Sequence, residues 1–100
     1  MAIEVDWSAE AEETFAKNVH YLQTVWTEKE VAKFVQQTEK VINRLQQQPE
    51  SYPPGKKNKK YRRARLNKYI VLFYRYHKTK EEITLLTFWN TKQDPNQLKY

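Results

Sequence analysis

The spacing of apolar residues predicts a short strand followed by a helix at the start of the chain. Apolar and acidic residues alternate from Ala2 to Trp7, which is the period of a half-buried strand. From Ala9 to Val25 apolar residues recur every three or four positions, as on one face of a helix. Ser8 is well placed to cap that helix, and acidic residues follow in its first turns, where the helix dipole favours them.

A second helix is predicted directly after the first. Thr27 and Glu30 match a capping box, and the apolar spacing continues to about Gln48 before Pro49 ends the helix. Two helices joined by so short a turn form a helix hairpin with one apolar side.

Three strands are predicted in the second half of the chain. The segment Ser51 to Gly55 reads as a turn, and Tyr61 to Leu66 then alternates in the manner of a strand. Tyr69 to Tyr76 is a continuous apolar and aromatic run, which favours a central strand. After a polar loop from Lys78 to Glu82, the segment Ile83 to Trp89 supplies the last strand.

These elements indicate an α+β fold in the order β-α-α-β-β-β, within a single domain over residues 1–100. We expect the helix hairpin to pack on one face of a small, antiparallel-rich sheet. The other face is then left partly open, and the arginines of the second strand can project there. From Asn90 to Tyr100 we expect a loop with a short terminal turn.

Positive charge is concentrated in one segment. Residues 51–80 hold eleven Lys or Arg and no Asp or Glu. Residues 1–50 hold five basic and nine acidic side chains, and residues 81–100 hold two basic and three acidic ones, which together account for the net charge of +6. Such concentration favours an anionic partner, a nucleic acid or an acidic protein, over a merely solvated face.

Composition excludes several kinds of chemistry. The chain has no cysteine and two histidines, which excludes thiol catalysis and disulfides and disfavours a metal site, so we expect no metal and no cofactor. Nucleotide-binding loops, HExxH and the Gly-x-Ser-x-Gly elbow are also absent from the sequence. No secretory leader and no apolar run of roughly 18 residues occur, so we expect a soluble, cytoplasmic protein without a membrane partner.

Metal-independent RNA cleavage is one reaction that cations and polar groups can support, because the 2′-hydroxyl of the substrate is the nucleophile. Candidate phosphate contacts are Lys56, Lys57, Lys59, Lys60, Arg62, Arg63 and Arg65. If Tyr61, Arg63 and Arg65 share a strand face, they form a row with steps of about 7 Å. Salt bridges to the acidic helices are the alternative role for each arginine.

Four further polar residues are candidates for a site. His77 can act as an acid or base, although at a strand end beside Lys78 it also fits a surface position. Asn90, Lys92 and Gln93 follow the last strand and can form a polar site beside the basic sheet.

The whole chain resembles the RelE/ParE superfamily of type II toxin-antitoxin toxins, often labelled plasmid stabilisation proteins. The segments that carry the resemblance are, in chain order, VDWSAEAEETF, WTEKEVAKFV, VINRLQQQP, YRRARLNKYIVLFYRY and ITLLTFWNTKQDP. The superfamily implies a helix hairpin on an antiparallel-rich sheet, a growth-arresting toxin and a cognate antitoxin partner, which is typically acidic where it binds the toxin.

Two activities are implied by the resemblance. RelE-like members are endoribonucleases that cut mRNA on the ribosome with basic residues of the central strands and a Tyr or His near the C-terminus, which points to Arg63, Arg65 and Tyr100 as catalytic residues. ParE-like members poison DNA gyrase without nuclease activity. Ile70 stands where RelE-like chains carry an arginine, and NTKQDP occupies the place of the ParE-like His-x-Arg-Arg-Asp-Pro. A non-toxic nucleic-acid or protein-binding module on the same fold is the third alternative.

Overall fold

The computed structural model describes residues 3–100, and the predicted order of elements is confirmed. The elements are β1 (Glu4–Trp7), α1 (Ala9–Val25), α2 (Glu28–Gln47), β2 (Arg62–Arg65), β3 (Ile70–His77), β4 (Glu82–Asn90) and a 3₁₀ turn (Pro95–Gln97). Ala2, at the start of the predicted first strand, lies outside the described residues. The fold class is α+β, as predicted.

Local capping contacts fix where both helices begin. The Ser8 hydroxyl accepts a hydrogen bond from the Ala11 N–H at 3.0 Å, and the Thr27 hydroxyl accepts one from the Glu30 N–H at 3.4 Å. Each cap satisfies one of the backbone donors that a helix leaves unpaired at its first turn. At the other end, α2 stops at Gln47, two residues before Pro49.

The four strands form one sheet in the order β1-β4-β3-β2. The pairs β2–β3 and β3–β4 are antiparallel, and β1 pairs with β4 in parallel, with Val5 opposite Ile83. A register shift between Phe73 and Tyr74 marks an irregularity against β4. β3 is therefore the central strand between β2 and β4, as its apolar sequence predicted.

The core lies between the helix hairpin and one face of the sheet. Alternate positions of the strands point to that face, so Leu72, Tyr74 and Leu85 are fully buried there against Phe34 and Leu45 of α2. Burial of such large apolar side chains supplies the main stabilising term of the fold. No helix of the described residues is long and apolar enough to cross a membrane.

The opposite face of the sheet carries no helix but is not bare. Val71 and Phe73 point to it and are 7% and 5% exposed. Residues 94–100, which we call the strap, lie across this face, and the ring of Tyr100 stacks on Phe73 with centroids 6.1 Å apart. The sequence predicted a loop with a short turn here, which is confirmed by the 3₁₀ turn, but the position of the strap on the sheet is not predicted by the sequence.

The Asn18 side chain fastens α1 to the sheet. Its Nδ2 donates to the Thr14 and Phe88 carbonyls, each at 2.9 Å, and the residue is 6% exposed. Nearby, the Thr14 hydroxyl accepts a hydrogen bond from the Phe88 N–H at 2.9 Å. These contacts occupy the edge of β4 beyond the end of β1, where backbone groups are otherwise left unpaired.

Candidate functional site

A small cavity of about 170 Å³ opens on the face of the sheet that the strap crosses. Its wall combines cations with apolar and aromatic groups. The lining residues are Lys56, Lys57, Arg63, Arg65, Val71, Phe73, Trp89, Thr91, Leu98 and Tyr100. Two predicted lysines, two predicted arginines and the predicted terminal tyrosine therefore meet at one place.

The alternation of β2 brings the two arginines together. Arg63 pairs with Phe73 and Arg65 with Val71, whereas Ala64 between them is fully buried against the helices. The prediction that Arg63 and Arg65 share a strand face is confirmed. A strand rises about 3.3 Å per residue, so the two side chains start about 7 Å apart, which is close to the spacing of consecutive phosphates along a nucleic-acid strand.

Backbone carbonyls hold both guanidinium groups in place. Nε of Arg63 donates to the Pro54 carbonyl at 3.3 Å, and Nη1 of Arg65 donates to the Lys68 carbonyl at 3.0 Å. Neither arginine forms an ion pair with a carboxylate of residues 3–100. The salt-bridge alternative therefore does not account for these two residues, and their charge faces the cavity uncompensated.

Arg62 belongs to a different surface. Its Nη1 donates to the Tyr52 carbonyl at 2.7 Å, and its Nη2 lies 3.6 Å from Oε2 of Glu50. Glu50 lies in the turn after α2, so this ion pair is not with one of the acidic helices. The alternation of the strand turns Arg62 to the other side of the sheet from Arg63 and Arg65, so this predicted phosphate contact is not brought to the cavity.

The four predicted lysines also differ in where they lie. Nζ of Lys57 donates to the Pro95 carbonyl at 3.0 Å and to the Leu98 carbonyl, so this lysine is engaged with the strap. Lys56 lines the cavity beside it, whereas Lys59 and Lys60 are exposed and lie outside its lining. Of the four predicted lysines, two are thus brought to the site.

A glycine allows residues 55–60, which we call the lysine loop, to approach the strap closely. Gly55 is buried, and a Cβ added there would lie 3.0 Å from both the Tyr100 and the Asn58 carbonyl oxygens, with the Tyr61 carbonyl 3.3 Å away. Contacts of 3.0 Å are tighter than most that real Cβ atoms make, so a larger residue would push these backbone segments apart. The only glycine of the chain therefore stands where two stretches of backbone come close together.

Tyr100 is held between two aromatic rings. Besides stacking on Phe73, it meets the Tyr61 ring edge-on at 5.1 Å between centroids. Burial, followed by the negative charge of Glu10, raises the pKa of the Tyr100 phenol above its ordinary value of 10.0. The phenol is therefore neutral at physiological pH and is able to donate a proton but not to accept one.

His77 lies outside this cavity. It ends β3, with its Nε2 3.2 Å from the Thr84 hydroxyl. Six residues of strand separate it from Val71 in the cavity wall, a distance of about 20 Å. The candidate imidazole is thus not positioned to act with Arg63 or Arg65.

Asn90, Lys92 and Gln93 line a separate cleft of about 370 Å³ beside α1. Nζ of Lys92 lies 4.7 Å from the centroid of the Tyr69 ring, a cation–π contact. The polar site predicted after the last strand therefore exists as a grouping outside the basic cavity, and Gln93 also lines a neighbouring cleft that shares Leu98 and Tyr100 with that cavity.

Several cavity residues were missed as site residues by the sequence interpretation. Val71, Phe73 and Trp89 were predicted only as parts of strands, and Leu98 only as part of the terminal loop. Since Trp89 lies opposite Val71 on β4 and is only half-buried, it contributes to the cavity wall. The available signal was the strand alternation itself, which places residues 71 and 73 on the face of Arg63 and Arg65 once the register is known. No cluster of three metal-ligating side chains occurs within residues 3–100.

Known structures share this architecture. A chain from the chromosomal ParDE TA system of P. aeruginosa superposes with a TM-score of 0.72 at 16% identity, covering 88% of this chain and 95% of that one. A YoeB/ParE toxin from Agrobacterium tumefaciens superposes with a TM-score of 0.64 at 13% identity, covering 87% of this chain and 96% of that one. A metal-bound toxin from Helicobacter pylori superposes with a TM-score of 0.65 at 17% identity, covering 90% of this chain and 96% of that one. At these identities the likeness concerns the fold.

Sequence comparison identifies the family. No curated protein sequence matches the chain significantly. The model of the ParE toxin of the type II toxin-antitoxin system parDE matches residues 5–95, which is nearly the whole chain. This match, with the toxin fold, confirms the RelE/ParE resemblance, and the chain belongs to the ParE toxin family of type II toxin-antitoxin systems.

Proposed function

We propose that this toxin arrests growth by poisoning DNA gyrase and that it does not cut mRNA. The family match to ParE toxins over residues 5–95 supports this target, because ParE-like members of the superfamily act on gyrase. The basic cavity with Arg63 and Arg65 is the surface that engages the target. Both proposed targets are cytoplasmic, and so is the site of action.

The observation that carries this proposal is the make-up of the cavity wall. Cleavage of RNA through its 2′-hydroxyl requires a proton acceptor beside the cations that stabilise the transition state. Among the described residues that line the cavity, no side chain carries a carboxylate or an imidazole. The raised pKa of Tyr100 keeps its phenol protonated, so it does not take that role either.

A second feature points the same way. Ile70, at the position where RelE-like chains carry an arginine, is fully buried in the core against the helices. Opposite it on β4 stands Asn90, which lines the cleft beside α1 and not the basic cavity. The position that supplies a catalytic cation in RelE-like chains therefore contributes packing in this one.

The cavity is suited to holding an anionic surface. Its four cations surround an apolar floor of Val71 and Phe73, so charge–charge attraction acts beside surface of low polarity, where it is stronger than in water. Neither Arg63 nor Arg65 has a carboxylate partner among residues 3–100, so both charges are available to a target. The DNA or an acidic segment of gyrase offers the matching charge.

Ribosome-dependent mRNA cleavage is the second candidate, favoured by one specific observation. Tyr100 lines the same cavity as Arg63 and Arg65. A protonated phenol can serve as the acid for the leaving group while two guanidinium groups stabilise the charge on phosphorus. In that case the proton acceptor has to come from the ribosome or the RNA.

A type II toxin has an antitoxin as its partner. We propose that the toxin-binding segment of this antitoxin is acidic and covers the basic face, because residues 51–80 carry eleven cations and no carboxylate. An antitoxin segment bound there neutralises that charge and also blocks the cavity. The two effects together explain how binding of the antitoxin silences the toxin.

Induced expression without antitoxin separates the candidates. The wild type is expected to stop growth, with DNA breaks that are trapped on gyrase and with intact mRNA. Arg63→Ala/Arg65→Ala is expected to restore growth. The matched control is Lys33→Ala/Lys40→Ala, which removes the same charge from exposed positions of α2 and should remain toxic.

Each result has a distinct meaning. Fragmented mRNA without DNA breaks would move the assignment to ribosome-dependent cleavage. Normal growth despite soluble, folded wild-type protein would refute toxicity and favour a nucleic-acid or protein-binding module on this fold. Equal rescue by the control pair would mean that net charge matters and the cavity does not.

A further inference from the structure

The strap, residues 94–100, closes the basic cavity through contacts made by its backbone and its side chains. Leu98 and Tyr100 both line the cavity, and Tyr100 stacks on Phe73 beneath it. Beyond the cavity, Nζ of Lys99 lies 3.8 Å from Oε1 of Glu10, and both side chains are substantially exposed, so this pair contributes little. Apart from the aromatic contacts of Tyr100, the strap is therefore held from the side of the lysine loop.

Lys57 provides that hold. Its ammonium group donates to the Pro95 and the Leu98 carbonyls, which lie on either side of the end of the 3₁₀ turn. Hydrogen bonds from a charged donor are stronger than those between neutral groups. One side chain thus joins the lysine loop to two points of the strap.

The same residue also lines the cavity beside Arg63 and Arg65. An oxyanion in the cavity offers Lys57 a full negative charge, whereas the strap offers it only carbonyl dipoles. An ammonium group has three N–H donors and the strap takes two of them, so an oxyanion that binds through more than one donor of Lys57 competes with the strap. Such a ligand therefore weakens the hold on the strap.

We propose that the two hydrogen bonds of Lys57 hold the strap closed over the cavity, so that Lys57 acts as the latch of the strap. An oxyanion of the phosphate type that enters the cavity and binds Lys57 releases the strap. The closed strap covers Val71 and Phe73, and its release exposes this apolar floor together with Arg63 and Arg65. By linkage, an anion that binds better when Lys57 is released shifts the population toward the open strap. This device operates whichever molecule the toxin attacks.

The absence of cysteine from the chain allows opening to be measured directly. Val71→Cys and Thr87→Cys, at positions that are 7% and 3% exposed, each introduce a single thiol on the strap-covered face. The rate of their modification by a thiol reagent reports how often the strap opens. Val41→Cys, in the core on the helix side and 8% exposed, reports opening of the whole fold instead.

Lys57→Met is the test variant, because it keeps the apolar stem and removes the donor. Lys59→Met is its matched control, since it removes the same charge from the same loop at an exposed position outside the cavity. We expect Lys57→Met to raise the modification rate at residues 71 and 87 about tenfold. This factor corresponds to the lower end of the free-energy range for one hydrogen bond with a charged partner. Lys59→Met is expected to leave both rates unchanged.

Anion release is tested in the wild-type background with an eight-residue oligothymidylate at low salt. We expect it to raise the modification rate at residue 87, which lies outside the cavity lining but under the strap, and to do so only while Lys57 is present. Equal rates for Lys57→Met and Lys59→Met would overturn the latch, and a rate at residue 87 that does not respond to the oligonucleotide would overturn its release by anions.

A parallel rise at residue 41 would mean general loosening of the fold and would likewise refute the proposal. If the cysteine at residue 71 or 87 prevents folding, Leu98→Cys in the strap itself gives the same comparison between Lys57→Met and Lys59→Met. None of these measurements depends on gyrase or mRNA, so they can fail without the proposed target failing, and the reverse also holds.

Discussion

Replacing Tyr74 by Phe should change stability in opposite directions at neutral and at alkaline pH. Tyr74 is fully buried in β3, and its phenol donates to the Pro49 carbonyl at 2.8 Å. This hydrogen bond joins the segment that follows α2 to the central strand of the sheet. At pH 7 the variant loses this hydrogen bond. A net cost of about 1 kcal/mol in the free energy of unfolding is expected.

At high pH the difference in stability between the two proteins changes sign, because the phenol ionises more readily when the chain is unfolded. Burial, as the largest cause, raises the pKa of Tyr74 far above its ordinary value of 10.0. The stability that the neutral phenol contributes is therefore complete below pH 10 and is lost as the pH rises from 10 toward the pKa of the folded state. At pH 11 the wild type has lost about 1.4 kcal/mol from this group, and Tyr74→Phe has lost none.

Urea denaturation at pH 7, 9, 10 and 11 measures both effects. The variant is expected to be less stable by about 1 kcal/mol at pH 7 and more stable by about 0.4 kcal/mol at pH 11. Contributions of the other titrating groups are the same in both proteins and cancel in the difference. Tyr21→Phe, at an exposed position of α1, is the control and should change stability by less than about 0.5 kcal/mol. A difference that stays constant from pH 7 to pH 11 would refute the reasoning.

Three further outcomes follow from contacts described above. Asn18→Ala removes the donor to the Phe88 carbonyl and should lower the free energy of unfolding by about 1–3 kcal/mol; a loss below 0.5 kcal/mol in urea would contradict its role in fastening α1. Ser8→Ala removes both the cap of α1 and the hydrogen bond to the Leu86 carbonyl and should cost about 2 kcal/mol by the same measurement, whereas Ser8→Gly, which loses little as a cap, should cost about 1 kcal/mol. If the basic face binds a single-stranded RNA oligonucleotide through its four cavity cations, the slope of log affinity against log salt concentration should be about −2 to −3, and a flat response would exclude that role.

Much of the fold was predictable because the decisive signals are local. Ser8, the Thr27–Glu30 pair and Pro49 act within a few residues of where they stand, so they fix helix ends without reference to the rest of the chain. Strand alternation likewise separated Arg63 and Arg65 from Ala64 before any register was known. Periodicity and capping are properties of the sequence window that contains them.

The arrangement of the site was less predictable because it depends on contacts between distant segments. Lys57 looked like its neighbour Lys59, but only Lys57 reaches the carbonyls of the strap some forty residues further along. Tyr100 finds its place between Phe73 and Tyr61 through side-chain packing that no short pattern encodes. His77 and Asn90 were predicted as further site candidates from residue type, whereas the strand register places both outside the basic cavity.

The parallel pairing of β1 with β4 also has a consequence for synthesis of the protein. The Ser8 hydroxyl donates to the Leu86 carbonyl, 78 positions further along, and β1 itself pairs only with residues 82–85. At translation rates of about 5–20 residues per second, β1 waits several seconds for its partner to emerge. A nascent chain can form the helix hairpin early, but it has neither the last strand nor the strap. A product terminated before residue 82 therefore lacks Trp89 and the strap, so the proposed target-binding cavity is complete only once nearly the whole chain has been made.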